Sequence, residues 1–139
     1  MTTVEIGRKA EGEAKAICES LGFDVEDVSR RQLRYDIVVN GLRVQVKNRV
    51  RRTYSRREWN TWTIDNNCRP SIPQDAFDVL ALRYDGKWYI IPTKALRVRD
   101  GMLCVSQNIT HTAEYEGRWD LLSRAHDRQI VVRKQLTLF

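Results

Sequence analysis

An α/β domain is the fold that this sequence predicts, and three observations predict it. Apolar residues recur at helical spacing over residues 8–21. An Asn-Gly pair at 40–41 divides two runs of β-branched and aliphatic residues, and an Asp-Gly pair at 85–86 divides two more. The order is therefore a helix, several strands, then a helix and a strand. At 139 residues the chain has the size of one domain, large enough for a core without disulfides or metal staples.

Each element has its own signal. In residues 8–21 (RKAEGEAKAICESL), Ala10, Ala14, Ile17, Cys18 and Leu21 form one apolar stripe, and Gly22 supplies the stop. Phe23 to Val28 reads as a first short strand. Asn40-Gly41 predicts a two-residue type I′ hairpin with strands near 33–39 and 42–48. That turn sets Val39 opposite Leu42, Ile37 opposite Val44 and Asp36 opposite Gln45. Alternation then puts Tyr35, Ile37, Val39, Leu42, Val44 and Val46 on one apolar face, with Asp36, Gln45 and Lys47 on the other. Residues 49–72 read as irregular, with Tyr54, Trp59 and Trp62 spread among arginines. Phe77 to Tyr84 reads as a buried strand, and Asp85-Gly86 turns the chain into a further strand, Lys87 to Ile91, closed by Pro92. Thr93 to Leu96 predicts a short helical turn, Leu103 to Val105 a small strand, and Arg118 to His126 a second helix. No internal repeat, linker or low-complexity tract interrupts this order.

The net charge of +6 and the pI near 9.5 favour an anionic partner. The distribution is sharper than the total: seven Lys or Arg and no Asp or Glu lie between Arg43 and Arg57. No apolar run approaches a membrane span, and the first residues lack a signal-peptide pattern. Cys18, Cys68 and Cys104 are odd in number, far apart and without metal-ligand spacing, so reduced thiols in a cytoplasmic protein are expected. His111 and His126 are isolated, which gives a zinc site or a His-based triad little to stand on.

The polar face of the hairpin offers a chemistry. A hard divalent cation such as Mg²⁺ takes oxygen ligands and retains several waters. Asp36 supplies a carboxylate, Gln45 an amide oxygen and Val46 a backbone carbonyl. Lys47, two residues beyond Gln45, would position or help activate the attacking water and offset charge building on a phosphate. The alternative is a solvated hairpin face carrying one polar trio.

The same residues resemble the PD-(D/E)XK nucleases, whose metal centre combines a helical Glu, an Asp starting one strand and (Glu or Gln)-x-Lys on the next. Asp36 matches the family Asp, Gln45-Val46-Lys47 the second motif and Glu11 the helical acid, with Glu13 a rival that the family spacing disfavours. The stretch GRKAEGEAKAICESLGFDV is similar to the opening of archaeal-type Holliday-junction resolvases. YD…VQVKN is closer to the small PD-(D/E)XK endonucleases associated with group I introns, and FDVLALRYDGKWYIIPTKAL resembles a strand-turn-strand shared by both. The resemblance spans roughly residues 7–97. It implies a restriction-endonuclease-like αβββαβ core with a mixed central sheet over residues 1–134. It also implies metal-dependent hydrolysis of DNA phosphodiesters by Glu11, Asp36, Gln45 and Lys47, with Mg²⁺ or Mn²⁺ held by Glu11, Asp36, Gln45 and Val46. Tyr35 stands where the family usually has Pro. Gln45 in place of Glu removes one negative charge from the metal site.

Arginine suits phosphate contacts, so Arg43, Arg49, Arg51, Arg52, Arg56 and Arg57 are the expected DNA-binding residues. Tyr54, Trp59 and Trp62 either stack on exposed bases or pack under the loop. The last five residues, Gln135-Leu136-Thr137-Leu138-Phe139, are similar to the peptide by which bacterial proteins dock on the replicative sliding clamp, with Gln135, Leu136, Leu138 and Phe139 as the contacts. A last β-strand is the competing reading. The opening and the tail together imply a homodimer cutting branched recombination or replication intermediates in a bacterial or phage-encoded, nucleoid-associated setting. The alternatives are a sequence-specific homing- or restriction-type nuclease, or a DNA-binding module without activity that the clamp recruits.

Overall fold

A computed structural model of the chain describes residues 2–31, 33, 35–49, 61–63, 76–99, 102–106 and 112–123. The helix α1 runs Thr3–Ser20 and so begins five residues earlier than the apolar stripe predicts. A capping box accounts for the early start: the Thr2 hydroxyl accepts the Glu5 N–H at 3.2 Å, and Glu5 Oε2 accepts the Thr2 N–H at 2.9 Å. At the other end Phe23 N–H reaches back to the Cys18 carbonyl at 3.0 Å and Gly22 N–H to that of Glu19 at 3.0 Å. This is a Schellman closure, and it needs the left-handed backbone that Gly22 adopts at φ 81°.

Five strands make the main sheet: β1 (Val25–Asp27), β2 (Ile37–Val39), β3 (Leu42–Arg49), β5 (Val79–Tyr84) and β6 (Lys87–Pro92), in the order β1-β2-β3-β5-β6. Pairing is antiparallel except between β3 and β5, where Val44 meets Val79 and Lys47 meets Leu82 in parallel register. The sheet is therefore mixed, as a restriction-endonuclease-like core requires. A separate three-stranded sheet joins β4 (Thr61–Thr63), β8 (Met102–Ser106) and β7 (Arg97–Arg99). Trp62 thus lies in a strand, inside a stretch that reads as irregular in the sequence. Arg118 to His126, read as a helix, shows only a 3-10 turn at Trp119–Leu122 within its described part. Its buried residues Trp119 and Leu122 recur at three-residue spacing, which suits that tighter turn.

Both tight turns form as expected. Asn40 and Gly41 take φ of 49° and 86°, and Asp85 and Gly86 take 47° and 82°, the two left-handed positions of a type I′ turn. Each face of the sheet carries its own core. Under α1 lie Ala10, Ala14 and Cys18 against Ile37, Val39, Val44, Val46, Val79 and Ala81. On the other face Leu80, Leu82 and Ile91 pack with Phe77, Tyr84, Tyr89 and Leu96. Strand β5 is covered on both sides, which explains its nearly unbroken apolar run. Cys18 is a free thiol buried under α1, and burial pushes its pKa up to about 12.

Candidate active site

The helix sets the first acid. Successive residues turn by about 100° around a helix axis, so Glu11 and Glu13 flank the Ala10–Ala14–Cys18 stripe on opposite edges. Glu13 leans toward β5 and β6. Its Oε1 accepts the Trp88 indole N–H at 3.0 Å, and its Oε2 lies 3.4 Å from Arg83 Nε, an ion pair. Glu11 leans toward β2, where it shares a side-chain hydrogen bond with Asp36. Of the two helical acids, Glu11 is the one that meets the second carboxylate.

Asp36 arrives there by a route that the hairpin register does not predict. The pairs Val39–Leu42 and Ile37–Val44 form as expected. One residue earlier, however, the Asp36 N–H also donates to the Val44 carbonyl, at 2.9 Å. Two residues, Asp36 and Ile37, thus oppose one, as in a β-bulge. The bulge corrects two expectations. Tyr35 leaves the face of Ile37 and packs against the core on the opposite side. Asp36 does not face Gln45; its Oδ2 accepts the Val46 N–H at 2.7 Å and its carboxylate comes beneath α1 to Glu11.

Gln45 and Lys47 stay on the face that alternation assigns them. They sit beside Leu80 and Leu82 in the parallel register, and those two leucines belong to the core away from α1. The structure therefore separates the expected set: Glu11, Asp36 and the Val46 N–H come together, while Gln45 stands across the strand. Lys47 remains within electrostatic reach of Asp36, because its charge pulls the Asp36 pKa down.

Both acids of the pair are half-buried, and their electrostatics follow from it. Glu11 is pushed up to about 7, first by burial, then by the charges of Asp36 and Asp27, with the Asp36 hydrogen bond adding and Arg8 opposing. Asp36 is also raised, chiefly by burial, against the pull of the Val46 N–H, Lys47 and the Glu11 hydrogen bond. Both carboxylates are thus held above their ordinary range, Glu11 by burial and the Asp36 charge and Asp36 by burial. Two carboxylates this close cannot both ionise without a compensating charge, and a proton or a cation can supply it. Asp27, which no sequence pattern singles out, adds negative potential from β1 while its own carboxylate is held low by the Ser29 hydroxyl and N–H. Its place becomes visible only through the sheet: it is the register partner of Ile37.

These groups fit a hard cation in part. Among the described residues no group of three His, Cys, Asp or Glu side chains is near enough to hold a metal unaided. Two carboxylates with water and phosphate oxygens completing the shell is the arrangement usual for Mg²⁺.

The expected DNA contacts divide. Arg43 is bound to Asp78, with Nε and Nη2 donating to the two carboxylate oxygens at 3.2 and 3.1 Å. Arg49 donates from Nη1 to the Asn48 carbonyl at 2.9 Å. Arg51, Arg52, Arg56, Arg57, Tyr54, Trp59 and the tail residues Gln135, Leu136, Leu138 and Phe139 lie outside the described residues.

Among solved structures, the chain is similar to that of a bacterial homing endonuclease, I-Ssp6803I. The match covers 99% of this chain and 98% of that one, with a TM-score of 0.60 and 17% sequence identity. At that identity the likeness is one of fold, end to end. No protein family and no curated protein matches the sequence. No helix among the described residues is long and apolar enough to cross a membrane.

Proposed function

We propose that this protein is a divalent-cation-dependent DNA endonuclease, and the convergence of Glu11 with Asp36, whose carboxylate is held on the Val46 N–H with Lys47 in electrostatic reach, is the observation that carries the proposal. The whole-chain likeness to a homing endonuclease supports the nuclease reading independently. Glu11 and Asp36 would hold Mg²⁺ or Mn²⁺, with the Val46 carbonyl added by strand geometry and Gln45 by the family resemblance alone. When bound, the cation supplies charge stabilisation to the phosphate and lowers the pKa of water. The chain's own residues do the rest. The Val46 N–H fixes the rotation of the Asp36 carboxylate, and Lys47 places a positive charge where charge builds on the phosphodiester. Arg49, Arg51, Arg52, Arg56 and Arg57 orient the duplex backbone.

Two substrates are in play, each with its own support. The resolvase-like opening and clamp-like tail favour a branched intermediate cut by a homodimer, with the sliding clamp as a further partner. The fold match favours a defined duplex sequence. Cleavage of labelled four-way junction, flap, fork and linear duplex with Mg²⁺ or Mn²⁺ separates them. Lys47→Ala is expected to lower cutting by roughly 100-fold or more, the usual scale for such a group, with near-normal binding. Binding of junctions without cutting under any cation condition would instead mark a DNA-binding module that lacks the chemistry.

A further inference from the structure

Arg43 has surroundings that phosphate binding does not explain. Its backbone N–H donates to Asp78 Oδ2 at 2.8 Å, its Nε to the same oxygen at 3.2 Å and its Nη2 to Oδ1 at 3.1 Å. The Asp78 N–H returns to the Arg43 carbonyl at 2.8 Å, and the Asp78 carbonyl accepts the Thr93 N–H at 3.0 Å. A fork held by both carboxylate oxygens is fixed in plane and direction. That plane meets Tyr35, with the guanidinium carbon 5.8 Å from the ring centroid.

Tyr35 packs with the core away from α1, whereas Ile37, two residues on, packs beneath α1. In an unbroken strand residues two apart share a face. They can part only if one extra residue is inserted, and that residue is Asp36, whose N–H doubles up on the Val44 carbonyl. We infer that Asp78, Arg43 and Tyr35 form a positioning device for Asp36: the clamped guanidinium keeps Tyr35 on the far face, and the resulting bulge turns the Asp36 carboxylate onto the Val46 N–H and against Glu11. For its catalytic consequence this rests on the nuclease reading. Arg43 and Asp78 act through Asp36 and touch no substrate.

Arg43→Lys keeps the charge and loses the fork, and Asp78→Asn removes the anchor from a residue whose negative charge makes it no phosphate contact. Amide hydrogen exchange at Val46, referred to Ala14 in the middle of α1, reads the position of Asp36 without reference to activity. Both variants are expected to speed Val46 exchange by about tenfold or more relative to Ala14, as loss of a charge-assisted bond does. DNA cleavage should fall by about as much in both, because the same bond aims Asp36, while the salt dependence of DNA binding is unchanged. If Arg43→Lys does not fold, Asp78→Asn decides. Unchanged Val46 protection overturns the inference, as does equal acceleration at Val46 and Ala14, which would mean general loosening. A fall in the salt slope of about 0.9 in Arg43→Gln would restore Arg43 to the phosphate contacts and overturn it also. Failure of the wild type to cut any DNA sinks the nuclease reading by itself, and Val46 exchange still decides the positioning.

Discussion

Glu11 owes its proton affinity to its place in the fold. Two residues along the same helix, Glu13 meets an indole N–H and an arginine, whereas Glu11 meets a second carboxylate in a half-buried setting. The consequence for stability has a definite sign. With a folded pKa of about 7 against an ordinary 4.5, Glu11 binds its proton more tightly in the folded state. Its contribution is fully present below pH 4.5 and is lost as pH rises through about 7. Asp36, also raised, acts in the same direction, whereas Asp78, held low by Arg43, acts only in more acidic solution. Urea unfolding at pH 5 and pH 8 should therefore show wild type weaker at pH 8 without divalent cation, and Glu11→Gln should show a smaller loss. A loss as large in Glu11→Gln would place the titrating group elsewhere. At this scale the sequence carries the residue types and sets Glu11 and Glu13 on different sides of the helix. It cannot carry the face on which Asp36 stands, because the bulge depends on Asp78, 35 positions beyond Arg43.

At the level of elements, the β2–β3 hairpin is the most legible part, since Asn-Gly encodes its own backbone geometry. Asn40 does more than turn the chain. Its Oδ1 accepts the Asp24 N–H at 3.0 Å, its own N–H donates to the Asp24 carbonyl at 2.9 Å, and its Nδ2 donates to the Leu122 carbonyl at 3.0 Å. One side chain thus ties the hairpin tip to the entry of β1 and to the 3-10 turn at Trp119–Leu122. Asn40→Gly keeps the left-handed backbone and deletes both side-chain bonds, so it isolates their worth. The expected cost is about 1–3 kcal/mol, read as a lower urea midpoint with unchanged slope. A change within about 0.5 kcal/mol, the range of ordinary surface substitutions, would show that water replaces both bonds. The same bond explains why helical periodicity misjudges residues 118–123. The turn ends where Leu122 hands its carbonyl to Asn40, a partner that no local pattern announces.

For the whole molecule, charge is the property still to be placed. Several described cations answer to acids within the fold: Lys15 to Glu19, Arg31 to Glu26, Arg43 to Asp78, Arg83 to Glu13, Lys87 to Glu116 and Arg118 to Asp120. Along the sequence the densest run of positive charge without Asp or Glu lies from Lys47 to Arg57. Its described part ends with β3 at Arg49, two residues beyond Lys47. Replacing Arg51, Arg52, Arg56 and Arg57 together by Gln removes charge without touching either carboxylate or Lys47. Every phosphate that the variant no longer neutralises should lower the slope of log affinity against log salt by about 0.9. Single-turnover cutting at saturating protein should stay near wild type, because the groups around the reacting phosphate are unaltered. A wild-type slope in this variant would move the DNA path off residues 51–57. Weak cutting even at saturation would instead give these arginines a part in aligning the reacting phosphate.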